Sequence, residues 1–357
     1  MRVLFATTHI HFPQGGGGAE RNTHDLALAI LARQRKLKGP ERVEVAVMSA
    51  LTADGTMLVQ ANRLRRFLLR HEFPRDMVGG YPTYRGWRED GLLEVLARFK
   101  PDVVVVQEIH PQVMVQRLKA AGIPHAVYIH EVEEIDHLRP VGEDGVPFIA
   151  NSRFTAQRLR ERCGIEAHVI RPIIDPAQYV TPTSREHVLF VNTIPRKGVE
   201  VALDLARARP DIPFDMVQGW TLKPPQVAAL RGRLPANVTL HPATRDMRPR
   251  YAQARLLLAP SQWEEAWGRV ATEAQVSGIP VLASSRGGLP EAVGDGGLLL
   301  PADAPGEEWA RALGRLWDDA AAYARYAAAA AEHGRRPEIQ PETIVEDLLS
   351  LLRGLKG

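Results

Sequence analysis

The 357-residue sequence holds a single cysteine, Cys163, so no disulfide can form within the chain and a reducing compartment suits it. No apolar run approaches the ~18 residues that a membrane span requires. Zinc-finger spacing, RNA-recognition aromatics and a long basic arm are all missing, which argues against nucleic acid as a partner. The glycine run ending at Gly17 and Gly18 leads into Ala19 and Glu20 instead of Lys and Ser or Thr, which excludes a Walker loop. A dinucleotide fingerprint is excluded too: no third glycine falls at the right offset, and the strand expected at Val43 to Met48 ends in Ser49 without an acid. No Asp-x-Asp metal signature stands in a suitable loop, and no lysine has a pyridoxal context.

The length exceeds what one core usually fills, so two domains are expected. Hydrophobic content of 45%, charged content of 24% and a net charge of +3 are ordinary for a globular chain, and the mild positive excess could suit anionic donors or lipids. The opening MRVLFATTHIHFP reads as a first strand, not a signal peptide.

From Pro260 to Ser284 the chain reads PSQWEEAWGRVATEAQVSGIPVLAS. Glu265 and Glu273 are separated by seven residues, and Gly268 stands where an apolar helical pattern begins. On one helix those acids would lie about 12 Å apart along the axis, too far to flank a glycosidic bond as hydrolase acids do unless Glu265 lies in a bent loop. Free N–H groups at such a helix start favour an anion such as a diphosphate. Glycine there allows close approach, Glu273 could accept bonds from a ribose diol, and Glu265 could face sugar hydroxyls. An amphipathic helix with two surface glutamates is the alternative.

Elsewhere, strands are expected at Pro101 to Val106 and His125 to Ile129, leading to His110 and to His130 with Glu131, where open α/β sheets bind ligands. Val169 to Pro182 reads as a linker. After the strand His187 to Val191 comes NTIPRKG, which puts Arg196 and Lys197 at a strand-to-helix turn. Cations at a helix start oppose its dipole, so an anionic partner would explain them; a solvated pair is the alternative. Leu58 to Phe73, with Leu64, Phe67, Leu68 and His71 at helical spacing among Arg63, Arg65, Arg66 and Arg70, reads as a basic amphipathic helix and a candidate for peripheral membrane contact.

Pro260, Ser261, Glu265, Trp267, Gly268, Glu273, Ala274, Gly278, Pro280 and Val281 together resemble the signature of retaining glycosyltransferase family 4. The resemblance covers nearly the whole chain and is strongest from Val188 to Pro301. It implies a GT-B architecture: two Rossmann-like, doubly wound α/β domains with a cleft between them. Their expected bounds are 1–172 on the acceptor side and 173–338 for the nucleotide sugar, with a final helix in 339–357 crossing back to the first domain.

It also implies a retaining, hexosyltransferase-like enzyme that moves a sugar from a nucleoside diphosphate sugar to a glycan, lipid or small-molecule acceptor, with no cofactor and no metal. Arg196 and Lys197 would clamp the diphosphate, Glu273 the ribose and Glu265 the sugar. His130 would lie beside the transferred sugar, and the Gly17 and Gly18 backbone near phosphate or acceptor. Trp267, Gly268, Arg269 and Val270 complete the expected donor site. A cytoplasmic location is expected, at the inner membrane surface if the basic helix binds lipid. A GT-B epimerase and a catalytically silent partner subunit are the rival readings.

Overall fold

A computed structural model describes residues 1–36, 42–52, 54–86, 91–219 and 222–356. The chain divides into two compact units, one of residues 1–173 with 341–357 and one of 174–340. The division falls between two adjacent buried isoleucines: Ile173 packs in the core of the first unit and Ile174 in that of the second. The boundaries therefore sit one and two residues beyond those expected at 172 and 338.

The first unit carries strands β1 (Arg2–Ile10), β2 (Glu44–Ala50), β3 (Arg75–Asp76), β4 (Thr83–Gly86), β5 (Val103–Val106), β6 (His125–Ile129), β7 (Phe148–Ala150) and β8 (Ala167–Val169). They form one sheet in the order β3-β4-β2-β1-β5-β6-β7-β8, parallel throughout except for the β3–β4 pair. Strands such as Val103–Val106 are apolar at every position because helices cover both faces, and the two faces carry separate hydrophobic clusters. Ser152 caps the helix Arg153–Cys163 by accepting from the Thr155 N–H at 2.9 Å.

The second unit carries β9 (His187–Val191), β10 (Phe214–Val217), β11 (Val238–His241), β12 (Ala254–Ala259), β13 (Val281–Ser284) and β14 (Gly297–Leu300). Its order is β11-β10-β9-β12-β13-β14, all parallel, the arrangement of a doubly wound dinucleotide-type sheet. In each unit the order of the parallel strands reverses once, between β1 and β5 and between β9 and β12. Loops leaving the carboxyl ends of those strands diverge there and leave a crevice.

Two expectations need correction. The basic helix runs Met57–Leu69 and stops at Arg70, whose φ of +53 is left-handed, so His71 and Phe73 lie beyond it. Phe73 is instead a core side chain. The first strand, read over MRVLFATTHIHFP, ends at Ile10, so His11, Phe12 and Pro13 lie beyond it.

The final helix, Pro341–Lys356, supplies Ile344, Val345, Leu348, Leu349 and Leu352 to the core of the first unit. Leu348→Ala removes a fully buried side chain from that core, and a loss of about 2–5 kcal/mol is expected in denaturant unfolding followed by circular dichroism.

Candidate functional site

The second unit carries Arg196, Lys197, Glu265, Arg269 and Glu273 on the segments that leave β9 and β12, where its sheet reverses. β9 and β12 pair in parallel, Phe190 opposite Leu258, so the loops that follow them leave side by side. The loop after β9 tightens into a 3-10 turn at Pro195–Lys197 and then passes Gly198 at φ +83. A Cβ added to Gly198 would lie 2.0 Å from the Pro260 carbonyl oxygen, so only glycine lets the two loops close on each other.

That closeness sets the electrostatics. Lys197 Nζ lies 2.5 Å from Glu265 Oε1, and the Ser261 hydroxyl donates to the same oxygen at 2.5 Å. The Trp263 ring sits beneath both cations, with Lys197 Nζ 4.9 Å and the Arg196 guanidinium carbon 5.4 Å from its centroid. Gln262 N–H donates to the Arg196 carbonyl at 2.8 Å, which ties the cationic turn to the acidic loop.

Glu265 is 9% exposed and Glu273 7%, so neither is a surface glutamate, and the amphipathic-helix alternative fails on burial. Glu265 lies in a loop, before the helix Arg269–Gln275 begins. Glu273 accepts from the Tyr251 hydroxyl at 2.9 Å, and Arg269 Nε lies 3.4 Å from its other oxygen. Burial first, and then the Glu273 charge, pushes the Tyr251 phenol well up, so Tyr251 stays a donor and fixes the carboxylate. Each oxygen keeps a lone pair for a further donor.

Two expected donor contacts take a different form. The Trp267 indole is 3% exposed in the hydrophobic core, and its N–H donates to Thr272 at 3.1 Å, so only its backbone remains for a ligand. Gly268 has φ +105, and a Cβ there would meet Leu289 at 2.6 Å; packing and backbone conformation already demand glycine without any phosphate. Val270 packs against the same core.

In the first unit, polar groups gather at the corresponding reversal. The Thr8 hydroxyl donates to Glu108 at 2.9 Å, and Gln107 Nε2 lies 3.3 Å from His130 Nε2. His130 packs against Tyr128 with centroids 4.2 Å apart, and its carbonyl accepts from Asn151 at 3.3 Å. Burial, with Glu20, Glu133 and Glu134 nearby, pushes the Glu131 carboxyl up. Gly18 opens the helix Gly18–Lys36, and a Cβ on Gly17 would lie 2.4 Å from a Glu20 carboxylate oxygen. His110, by contrast, is exposed and packs on His137, 4.2 Å between centroids.

Below the glycine run lies a buried network that the sequence did not announce. The Tyr81 hydroxyl sits 2.8 Å from His11 Nε2 and 2.7 Å from His24 Nδ1. Arg85, fully buried, pairs with Asp76 at 2.8 Å and donates to the carbonyls of His11 and Phe12. Trp263 and Tyr251 were missed as well. Trp263 stands inside a stretch already singled out, next to two cations' loop; nothing local marks Tyr251.

Burial, helped by Arg85 and His24, lowers His11 to about 3. Burial, opposed by Asp25 and helped by Arg21, lowers His24 to about 4. Unfolded, both titrate near 6.5, so the unfolded chain binds the extra protons between those values. Stability from this network is therefore present above about pH 6.5 and is lost as pH falls towards 4. Urea unfolding at about pH 7.5 and about pH 4.5 checks this, and His24→Gln is expected to flatten the fall.

Residues 185–319 match the family model described as Glycosyl transferases group 1. A D-inositol 3-phosphate glycosyltransferase of Arthrobacter sp. is 33% identical over 189 residues, 48% of this chain and 44% of the relative. One of Streptomyces griseus is 31% identical over 253 residues, 68% of this chain and 48% of the relative. The chain thus spans under half the length of these curated relatives. Among solved structures, the Anabaena protein HepE in complex with UDP and glucose superposes with a TM-score of 0.75 at 20% identity, over 99% of this chain and 100% of that one.

Proposed function

We propose that this chain, which belongs to the Glycosyl transferases group 1 family and has the GT-B fold, transfers a sugar from a nucleoside diphosphate sugar to an acceptor with retention of anomeric configuration. The observation that carries the reading is the meeting of Arg196, Lys197 and Glu265 where the sheet of the second unit reverses. Support for the donor class comes from HepE, whose structures hold UDP and UDP-glucose.

The chemistry follows from charge. As the glycosidic bond to the donor breaks, negative charge grows on the diphosphate, so cations fixed beforehand stabilise the transition state more than the ground state. Lys197 is held in place by Glu265 and Trp263, and Arg196 lies over the same ring, so little reorganisation is needed when an anion arrives. Glu265 is assigned to sugar hydroxyls, and Glu273, oriented by Tyr251, to the ribose. His130 is assigned to the transferred sugar. Because the Glu20 carboxylate lies against Gly17, the loop of Gly17 and Gly18 suits an acceptor hydroxyl better than a phosphate.

In the proposed route the acceptor attacks from the face the diphosphate leaves, and a phosphate oxygen takes the acceptor proton, so no enzyme nucleophile is required. Two cations take the place of a metal ion, and turnover is expected to survive a strong chelator; loss of activity on chelation would remove that element. The reading as a whole is tested by calorimetry against a panel of nucleoside diphosphates, UDP among them. Binding of one is expected, with Lys197→Ala weakening it about ten- to hundredfold, as a charge-assisted hydrogen bond is worth about 1.5–3 kcal/mol. The same change is expected to lower kcat by orders of magnitude while the chain still folds, with a melt lowered by the loss of the partner of the buried Glu265 carboxylate. No binding by any member of the panel would sink the proposal.

A further inference from the structure

The helix Met57–Leu69 is turned inside out relative to an ordinary surface helix. Its buried side chains are Val59 and Asn62, whereas Met57, Leu64, Phe67 and Leu68 are 88%, 58%, 80% and 66% exposed. At about 100° per residue those four fall on one stripe, opposite the side that faces the protein body. Arg63 and Arg65 fall on either flank of the stripe, and the helix contains no acid. An apolar stripe pointing away from the core, edged by guanidinium groups, wets badly unless something covers it.

What covers it is indicated by charge. Beside the helix opens a hollow of about 510 Å3 lined by Arg65, Leu69, His71, Arg75, Tyr84 and Arg98. Arg98 is neutralised by Glu94 at 2.8 Å, and His71 lies 3.6 Å from the same acid. Arg65 is different: one of its terminal nitrogens, Nη1, is buried and has no hydrogen-bond partner among the described residues. A buried unpaired guanidinium nitrogen costs free energy unless an acceptor reaches it. Arg75, on the edge strand β3, adds an exposed cation to the same wall.

We infer that this face seats on an anionic phospholipid surface: the stripe of Met57, Leu64, Phe67 and Leu68 enters the boundary between headgroups and acyl chains, and a lipid phosphate enters the hollow to meet Arg65 and Arg75. An apolar stripe rimmed by arginines matches the two layers of such a surface, apolar within and anionic above. A second copy of the chain would bring the same arginines against each other, and an acidic protein would leave the apolar stripe unmatched. The inference is independent of the donor site, so either can fail alone.

The test is co-sedimentation of the full chain with vesicles of phosphatidylcholine alone and of phosphatidylcholine with about one third phosphatidylglycerol. Binding to the mixed vesicles is expected, at least about tenfold stronger than to the neutral ones and weakened by raised salt. Phe67→Gln with Leu68→Gln is expected to weaken it about tenfold or more, and each of Arg65→Gln and Arg75→Gln about fivefold. These side chains lie at the surface or beside the hollow, and overlapping thermal melts check that the variants fold. Inorganic phosphate at millimolar concentration is expected to leave vesicle binding in place; competition at that concentration would instead mark a site for free phosphate. Equal binding to both vesicles, no binding to either, or a dimer in analytical ultracentrifugation abolished by the Phe67 and Leu68 changes would overturn the inference.

Discussion

The ion pair between Lys197 and Glu265 is the constraint around which the second unit is arranged. Two charged groups, each largely withdrawn from water, hold together loops that leave neighbouring strands. Removing either partner would strand the other in a poorly hydrated pocket, a situation costing several kcal/mol in general. The surroundings are built to keep the pair: Ser261 shares the carboxylate, Trp263 lies under the ammonium, and Gly198 allows the backbones to touch. In the proposed reading a donor phosphate would meet a cation already held in place, which is the sense in which such a site is preorganised.

The two units repeat one plan with different chemistry at the point of reversal. In the second, cations and acids balance around Trp263 and Tyr251. In the first, neutral and acidic groups prevail: Thr8, Gln107, Glu108, His130 and Glu131, with Glu20 folded against the glycine run. The same topology thus carries a cluster with two cations in one unit and a neutral to acidic cluster in the other, a difference that resides in side chains and not in the fold.

Much of this was legible in the sequence. Strands such as Val103–Val106, His187–Val191 and Val281–Ser284 announce themselves as continuous apolar runs because they are covered on both faces. β4 did not, because its fully buried Arg85 reads as a surface residue until Asp76 and the carbonyls of His11 and Phe12 are seen around it. β8 and β14 were missed for other reasons: one is a three-residue edge strand, the other opens with glycine. At the candidate site, motif order singled out Glu265, Glu273, Arg196 and Lys197, each within a short local stretch, and the structure sets Lys197 against Glu265. It also singled out Trp267, whose indole lies in the core, and it could not reach Tyr251, which meets Glu273 only through tertiary packing. The Met57–Leu69 helix shows the same limit: periodicity revealed an amphipathic element but not which face points inward.

The last helix has a consequence for how the molecule is made. Ile344, Val345, Leu348, Leu349 and Leu352 close a hydrophobic face whose other members are drawn from residues 1–173. On the ribosome, the half that emerges first must therefore wait, with that face uncovered, until the whole of 174–340 has been synthesised and the tail has cleared the exit. The later-born unit, contiguous in sequence, can finish before the earlier one.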